Sequence, residues 1–466
     1  MSGYAPTESK TKTKSTSSSE GGASRGAASG HAVVPAKFPL PPEFKRKLQE
    51  LRRTDNTTNW FYLARTYLAI ALVVGGTIAF YQYRAESGIS WLWNAPVTFL
   101  AILVVGALQH HLATLAHEAV HRVLFKNRYL NDLASEWLCS FPIFGSSFHY
   151  GLHHLAHHQY VNDPELDPDI SQLELSGHRL TFPILQQEFL QVLMRQLWLP
   201  NLFRYTRARA EYDSLGTDKN PYIREGWKPT KTLARVCLGY LIGLIATLAG
   251  LVLLGDPMLL AAIPVAGWLG IMAVLRLMPD EVYYQSRIQP LFSVRTLTMM
   301  RISFFSLVFT GLAWGTWATG HPWWLYFLVL WVVPLVSSFP FYMVLRQIVQ
   351  HGNADRGWFT NSRVFDCNPL INFAIFSLGQ DYHLPHHMYA TVPHYRLKAL
   401  HEALLDLPEY REQATVVEGY LVPRHRPPTK PTVVEVLGPK YAPGSGNAIF
   451  IDDSVLEGQR MDPPRG

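Results

Sequence analysis

Histidine is the residue type that asks for an explanation in this chain, because most of its 19 copies fall in a few tight groups. His117 and His121 stand four residues apart in ATLAHEAVHRVLF. His154, His157 and His158 take the spacing i, i+3, i+4 in YGLHHLAHHQYVNDPELDPD, and His383, His386 and His387 repeat it in LGQDYHLPHHMYATVPHYRL. His351 adds a single imidazole in QIVQHGN. On a helix these spacings turn the imidazoles of each group to one side. Neutral imidazole suits zinc, copper, iron and nickel, and the repeating pattern carries no carboxylate. These nine imidazoles are too many for one metal, whereas two metals with four to five nitrogens each would use the whole set. Iron is favoured, because a di-iron pair can bind and reduce O2 and zinc has no redox chemistry.

Side chains spread from residue 117 to residue 387 meet only if the elements between them return to one place. Composition says what those elements are. The chain is 48% apolar and only 16% charged, against about 25% charged in an average soluble protein. Uncharged runs near the length of a bilayer-crossing helix lie at about 63–83, 95–116, 234–254, 257–276, 302–319 and 323–346. Arg65 and Arg235 sit near the ends of their runs, where they can snorkel. Gly255-Asp256-Pro257 joins the third run to the fourth, and Gly320-His321-Pro322 joins the fifth to the sixth, so both pairs read as hairpins. Residues 183–212 mix Leu, Phe and Trp with Arg and read as a helix lying in the interface.

Orientation follows from Lys and Arg. Lys45, Arg46, Lys47, Arg52 and Arg53 precede the first span, Arg122, Lys126 and Arg128 follow the second, and Arg276, Arg287, Arg295 and Arg301 surround the link between the fourth and fifth. That places both ends in the cytoplasm. Four crossings separate His158 from His351, an even number, so all nine histidines return to one side of the membrane. The net charge of +6 belongs to this flanking pattern and to anionic lipid, not to nucleic acid.

The expectation is an all-α protein, an integral-membrane bundle of about six spans in hairpins with a cytoplasmic helical cap holding a di-iron site. It occupies residues 44–422, between a disordered N-terminal tail (1–43) and a Pro/Gly-rich C-terminal tail (423–466) that packs in part around Asn447–Ile451. The first forty residues hold no apolar h-region, so no cleaved signal peptide is expected. Cys139, Cys237 and Cys367 have no C-x-x-C spacing, which argues against an iron–sulfur cluster, a Cys-type zinc site and a disulfide framework.

The boxes H-x(3–4)-H, H-x(2–3)-H-H and H-x(2–3)-H-H, in this order and separated by membrane helices, resemble the membrane fatty-acid-desaturase superfamily. The likeness runs over roughly residues 60 to 405. It carries over onto His117 and His121, onto His154, His157 and His158, and onto His383, His386 and His387, with His351 as the further histidine at the end of the last membrane helix. It implies that all nine are metal ligands and catalytic, holding two iron ions. The implied reaction is an O2-dependent desaturation of an acyl lipid, with hydroxylation or ketolation of a carotenoid, sphingolipid or alkyl lipid as the alternative. Electrons would come from an external donor of ferredoxin or cytochrome b5 type and its reductase. The membrane would be a bacterial inner membrane or the endoplasmic reticulum. The family commonly has four main spans, and six are counted here.

Other polar residues carry plainer readings. His110 reads as packing or as support for a ligand, His111 as structural, and His153 as a weaker candidate than His154. His394 and His401 read as surface or supporting groups, and His321 lies on the opposite side. Glu118, Asp163, Asp167 and Asp169 are either partners for ligand imidazoles or turn formers and caps. Gln347 is a candidate to hold metal-bound water, and Arg396 reads as a positive-inside residue rather than a substrate contact. His117-Glu118-Ala119-Val120-His121 also fits the H-E-x-x-H pattern of a zinc hydrolase. That reading leaves both H-x-x-H-H groups unexplained. A metal transporter would want polar groups at the bilayer midplane, not at its edge.

Overall fold

The computed structural model describes residues 39–443, 451 and 453–461. Of the tail expected over 1–43, residues 1–38 therefore lie outside the described part. Helix α1 (Pro42–Leu51) already begins at Pro42 and buries Phe44, Leu48 and Leu51, the i, i+4, i+7 stripe of an amphipathic helix.

The first two runs form α2 (Thr58–Glu86) and α3 (Asn94–Val120), the latter prolonged backward by a 3-10 turn at Trp91–Trp93. After α4 (Arg128–Ser135) comes α5 (Ser147–Gln159), the helix of the second histidine group. Its N-terminal amides need acceptors, and Glu136 supplies them: Ser147 N donates to Oε2 at 3.1 Å and Phe148 N to Oε1 at 3.2 Å. Asp167 caps α6 (Pro168–Ser176). The expected single interfacial helix is two, α7 (Gln186–Gln196) and α8 (Leu199–Ala210), because Trp198 is extended (ψ 134) ahead of Pro200, whose ring cannot continue a preceding helix. Met194, Trp198, Leu199 and Phe203 are left exposed on this pair.

The second hairpin is α9 (Thr232–Leu254) and α10 (Pro257–Leu277), turned by Gly255 at φ 78 and by Asp256, which caps Met258 N and Leu259 N. Helix α11 (Val294–Thr319) starts earlier than its apolar run, because Ser293 caps it and Arg295 and Arg301 ride on its first turns. The last span is α12 (Trp323–Phe327), a π turn at Leu328–Val332, α13 (Val333–Val336) and α14 (Ser338–His351). The π turn frees the Trp331 carbonyl, which accepts from Gln109 Nε2 of α3 at 2.8 Å.

Six helices among the described residues are long and apolar enough to cross a bilayer, and each contains the run expected for it. Their outer faces are apolar and unpartnered, with Leu253 89% and Leu277 83% exposed, a surface that suits lipid and not water. The protein is thus a multi-pass, all-α membrane bundle, and the strands are short ones. β1 (Ile288–Gln289) pairs with the C-terminal Arg460–Met461, and Arg363–Asp366 runs parallel to Thr415–Glu418.

Beyond α14, four short helices build the cap: α15 (Pro369–Ala374), α16 (His383–Met388), α17 (Leu397–Leu404) and α18 (Pro408–Gln413). The segment read as a C-terminal tail joins it in part. Val433, Val434, Val436 and Leu437 are buried in one cluster with Ile348 and Val349 of α14. Asn353 Nδ2 donates to the carbonyls of Val436 (2.9 Å) and Gly438 (3.1 Å). The packing expected around Asn447–Ile451 falls, apart from Ile451, outside the described residues.

Candidate metal centre

Close approach of two helices brings the first histidine group beside His351. At Gly106 of α3 a Cβ would stand 2.7 Å from the Phe339 amide of α14, so only glycine permits this contact. Ser338 Oγ, next to it, donates to the Ile102 carbonyl at 2.6 Å. Both helices end at the same level. His117 lies in the last turn of α3 and His121 is its C-cap residue, while His351 is the last residue of α14. Helices α5 and α16 add the other six imidazoles.

The nine histidines form two groups rather than one. His117, His121, His154, His158 and His386 make the first, and His157, His351, His383 and His387 the second, with the ligand atoms of each group within 4.8 Å of one another. Each H-x-x-H-H segment is divided. Its i, i+4 pair shares a group, and the remaining histidine turns to the other. Rings of the two groups touch, with His158 stacked on His387 at 4.1 Å and 14°.

Within the first group, Nε2 atoms approach at 2.9 Å (His121–His154), 3.0 Å (His154–His158) and 3.0 Å (His158–His386). His117 Nε2 is buried with no partner among the described residues. In the second group the Nε2 separations are 3.2 Å (His157–His351), 3.0 Å (His351–His383) and 3.2 Å (His383–His387).

Supporting contacts decide what these short approaches mean. The Asn361 carbonyl can only accept, so the His351 Nδ1 at 2.8 Å from it must carry the proton. Asp167 likewise accepts from His157 Nδ1 at 2.9 Å. Each neutral ring then presents an Nε2 lone pair, and the two lone pairs face one another across 3.2 Å. That contact is repulsive unless a cation lies between them or one ring takes a second proton. A metal ion bound by Nε2 atoms resolves it throughout the group, so the residues present fit the metals that this donor set implies.

Electrostatics agree. Burial holds His121, His154, His158, His383, His386 and His387 well below the ordinary imidazole value, in the neutral form that binds metal. His157 is the exception. Burial pulls it down, but Asp167 and Asp169 outweigh that and hold it above the ordinary value.

The remaining candidates fall around the centre. His153 belongs to neither group, since its Nε2 meets Asp169 at 2.5 Å and its Nδ1 lies 3.3 Å from Asp213. His110 and His111 tie α3 to α15 through the carbonyls of Ala374 (2.9 Å) and Phe373 (2.8 Å). Glu118 accepts from the His394 amide at 2.8 Å and has its other oxygen 3.2 Å from His117 Nδ1. His394 is therefore buried, not superficial, with its ring on Asn59 at 3.0 Å. His401 pairs with the Tyr410 hydroxyl at 2.7 Å, and His321 lies at the far ends of the spans near Gln82. Gln347 faces away from the metal groups, accepting from Tyr205 and donating to Gln172. Arg396 donates to the carbonyls of Glu50, Leu51 and Arg53, and Asp163 holds a turn and Arg356.

Sequence reasoning did not single out the cavity beside the first group. It measures about 140 Å³ and is lined by Ile143, Phe144, Leu335, Phe339 and Met343, and by Tyr150, Arg209 and Arg346. The Tyr150 ring stacks on His154 at 5.4 Å and 18°, so one wall of the cavity is also a wall of the centre. A signal was present, since Arg346 closes the sixth apolar run as its only charge.

Comparison with known proteins returns one family. The family described as "Fatty acid desaturase" matches residues 90–285 and 276–417, together more than half of the chain. The "Dihydrorhizobitoxine desaturase" of Bradyrhizobium elkanii is 35% identical over 136 residues, which is 29% of this chain and 35% of that protein. The "Delta(5) fatty acid desaturase fat-4" of Caenorhabditis elegans is 30% identical over 125 residues, 27% of this chain and 25% of that protein. The matched region thus spans only about a third and a quarter of the length of these relatives.

Proposed function

The chain belongs to the fatty acid desaturase family, and on that premise we propose that it is a membrane di-iron oxygenase that puts a double bond into an alkyl chain, using O2 and an external electron donor. The observation that carries the reading is the gathering of nine histidines into two groups, with the ligand atoms of each group within 4.8 Å of one another. The first metal would be held by His117, His121, His154, His158 and His386, and the second by His157, His351, His383 and His387. Bound iron would supply reductive activation of O2 and removal of hydrogen from an unactivated C–H bond.

The rest falls to the chain's own residues. Asp167 and the Asn361 carbonyl fix ring orientation and leave Nε2 free. Ile143, Phe144, Leu335 and Phe339 give an alkyl chain an apolar seat and keep water out. Tyr150 sets the distance between that seat and the His154 imidazole.

Both named relatives are desaturases, which favours loss of a second hydrogen over hydroxylation or ketolation. The zinc-hydrolase reading is disfavoured because both Glu118 oxygens are engaged, one by the His394 amide and one at His117, leaving no free general base. The Lys and Arg placement supports a cytoplasmic centre, and membership of the family favours a ferredoxin or cytochrome b5 type donor.

The test is lipid and metabolite profiling of cells producing the full chain or its His386→Ala variant. The expected product is lighter than its precursor by two hydrogens and absent from the variant. A product heavier by one oxygen would reassign the chain to hydroxylation, and identical profiles would remove the oxygenase reading.

A further inference from the structure

The cavity beside the first histidine group carries a guanidinium that makes no ion pair or hydrogen bond with any carboxylate among the described residues. Arg346 lies on α14, five residues before His351, which is about 7.5 Å along a helix. Its side chain lines the cavity, and its Nε is shut off from solvent with no hydrogen-bond partner. Among the described residues no carboxylate or carbonyl accepts from it.

The neighbouring carboxylates each face a basic partner of their own, although Asp213, itself on the cavity wall, keeps its Oδ1 without a hydrogen bond. Asp213 pairs with Arg209 at 2.7 Å, Asp169 with His153 at 2.5 Å and Asp167 with His157 at 2.9 Å. Arg209, the other cation of the cavity wall, thus has its counter-ion, and Arg346 does not. An unpaired guanidinium in an apolar setting is costly. Its planar fork matches a carboxylate with two parallel hydrogen bonds, a geometry that lysine cannot offer. Apolar side chains make up much of the remaining lining, which suits an alkyl tail.

We propose that Arg346 receives the carboxylate of the substrate, so that the molecule oxidised is an alkyl carboxylate whose reacting carbon lies only a few bonds from its anionic end. The inference rests on the oxygenase reading and narrows its substrate class. Arg346 acts here as a specificity-determining residue. A glycerolipid or other ester, whose acyl carbonyl bears no charge, leaves the guanidinium unpaired and is disfavoured at this seat.

The test uses the purified full chain with its metal, titrated calorimetrically with octanoate and with methyl octanoate, with iron content measured on every preparation. The wild type is expected to bind octanoate more tightly than the ester. Arg346→Gln is expected to weaken octanoate by about ten- to a hundredfold and leave the ester unchanged. Arg346→Lys, which keeps the charge but not the fork, is expected to fall between them. If Arg346→Gln loses its metal, Arg346→Lys alone carries the comparison. No preference for the acid in the wild type, or a preference that survives in a variant retaining its metal, overturns the proposal. If the wild type holds no iron yet prefers octanoate, the metal reading falls and the carboxylate site stands.

Discussion

Asp167 does for His157 what the Asn361 carbonyl does for His351: it accepts the Nδ1–H hydrogen bond and leaves Nε2 to face the metal site. Losing such a partner commonly costs ten- to a hundredfold in metal affinity. Asp167→Asn is expected to weaken the second metal by about that factor, seen by competition with a chelator, and to leave the first metal in place. An equal loss of both would show that the two groups do not bind independently. His153 gives a second prediction. Burial would lower its pKa, but the carboxylates of Asp169 and Asp213 prevail and raise it to about 9. A histidine raised on folding stabilises fully below its unfolded value of about 6.5 and loses that contribution as pH rises through about 9. Thermal stability in detergent should therefore fall across that window, and His153→Gln should flatten the fall. A pH profile unchanged by the substitution would assign the loss to other groups.

At the scale of elements, the centre depends on α3 and α14 ending side by side. Gly106→Val places two methyl groups where the Phe339 amide and Ser338 already stand. It is expected to cost about 1–3 kcal/mol or more, read as a lower melting temperature together with lost metal. Gly250→Val, with open space around its Cα, should do neither. Much at this scale was legible from spacing and hydropathy, because 3.6-residue periodicity and bilayer length are local properties of the chain. Each expected span lies inside a longer helix, since hydropathy sees only the apolar stretch and not caps such as Ser293. The gathering of nine histidines was foreshadowed by their spacing, but their division was not. Whether His157 joins His351 or His154 depends on how α5 packs against the ends of α3 and α14, which no window of sequence contains. The interfacial segment carries one continuous mixture of Leu, Phe, Trp and Arg, and only Pro200 marks the break between its two helices. The burial of Val433, Val434, Val436 and Leu437 was hidden by the prolines around them, and only the surface offered by α14 explains it.

Across the whole molecule, the even number of crossings between the second and third histidine groups is what lets one site form from distant segments. The turns at Asp256 and at His321 should then face the side opposite the metal centre. Single cysteines placed at Asp256 and at Lys398, in a background lacking Cys139, Cys237 and Cys367, are expected to react with an impermeant maleimide from opposite faces of sealed vesicles. Labelling of both from one face would break the parity on which the site rests.

The central claim is that the chain holds two metals, one in each histidine group. Elemental analysis of the detergent-purified full chain, alongside His154→Ala and His387→Ala, tests it most directly. The account predicts about two irons per chain in the wild type and a clear loss in each variant, because each removes a ligand from a different group. One zinc per chain without iron, in protein produced with iron in excess, or a metal content unmoved by either substitution, would contradict it.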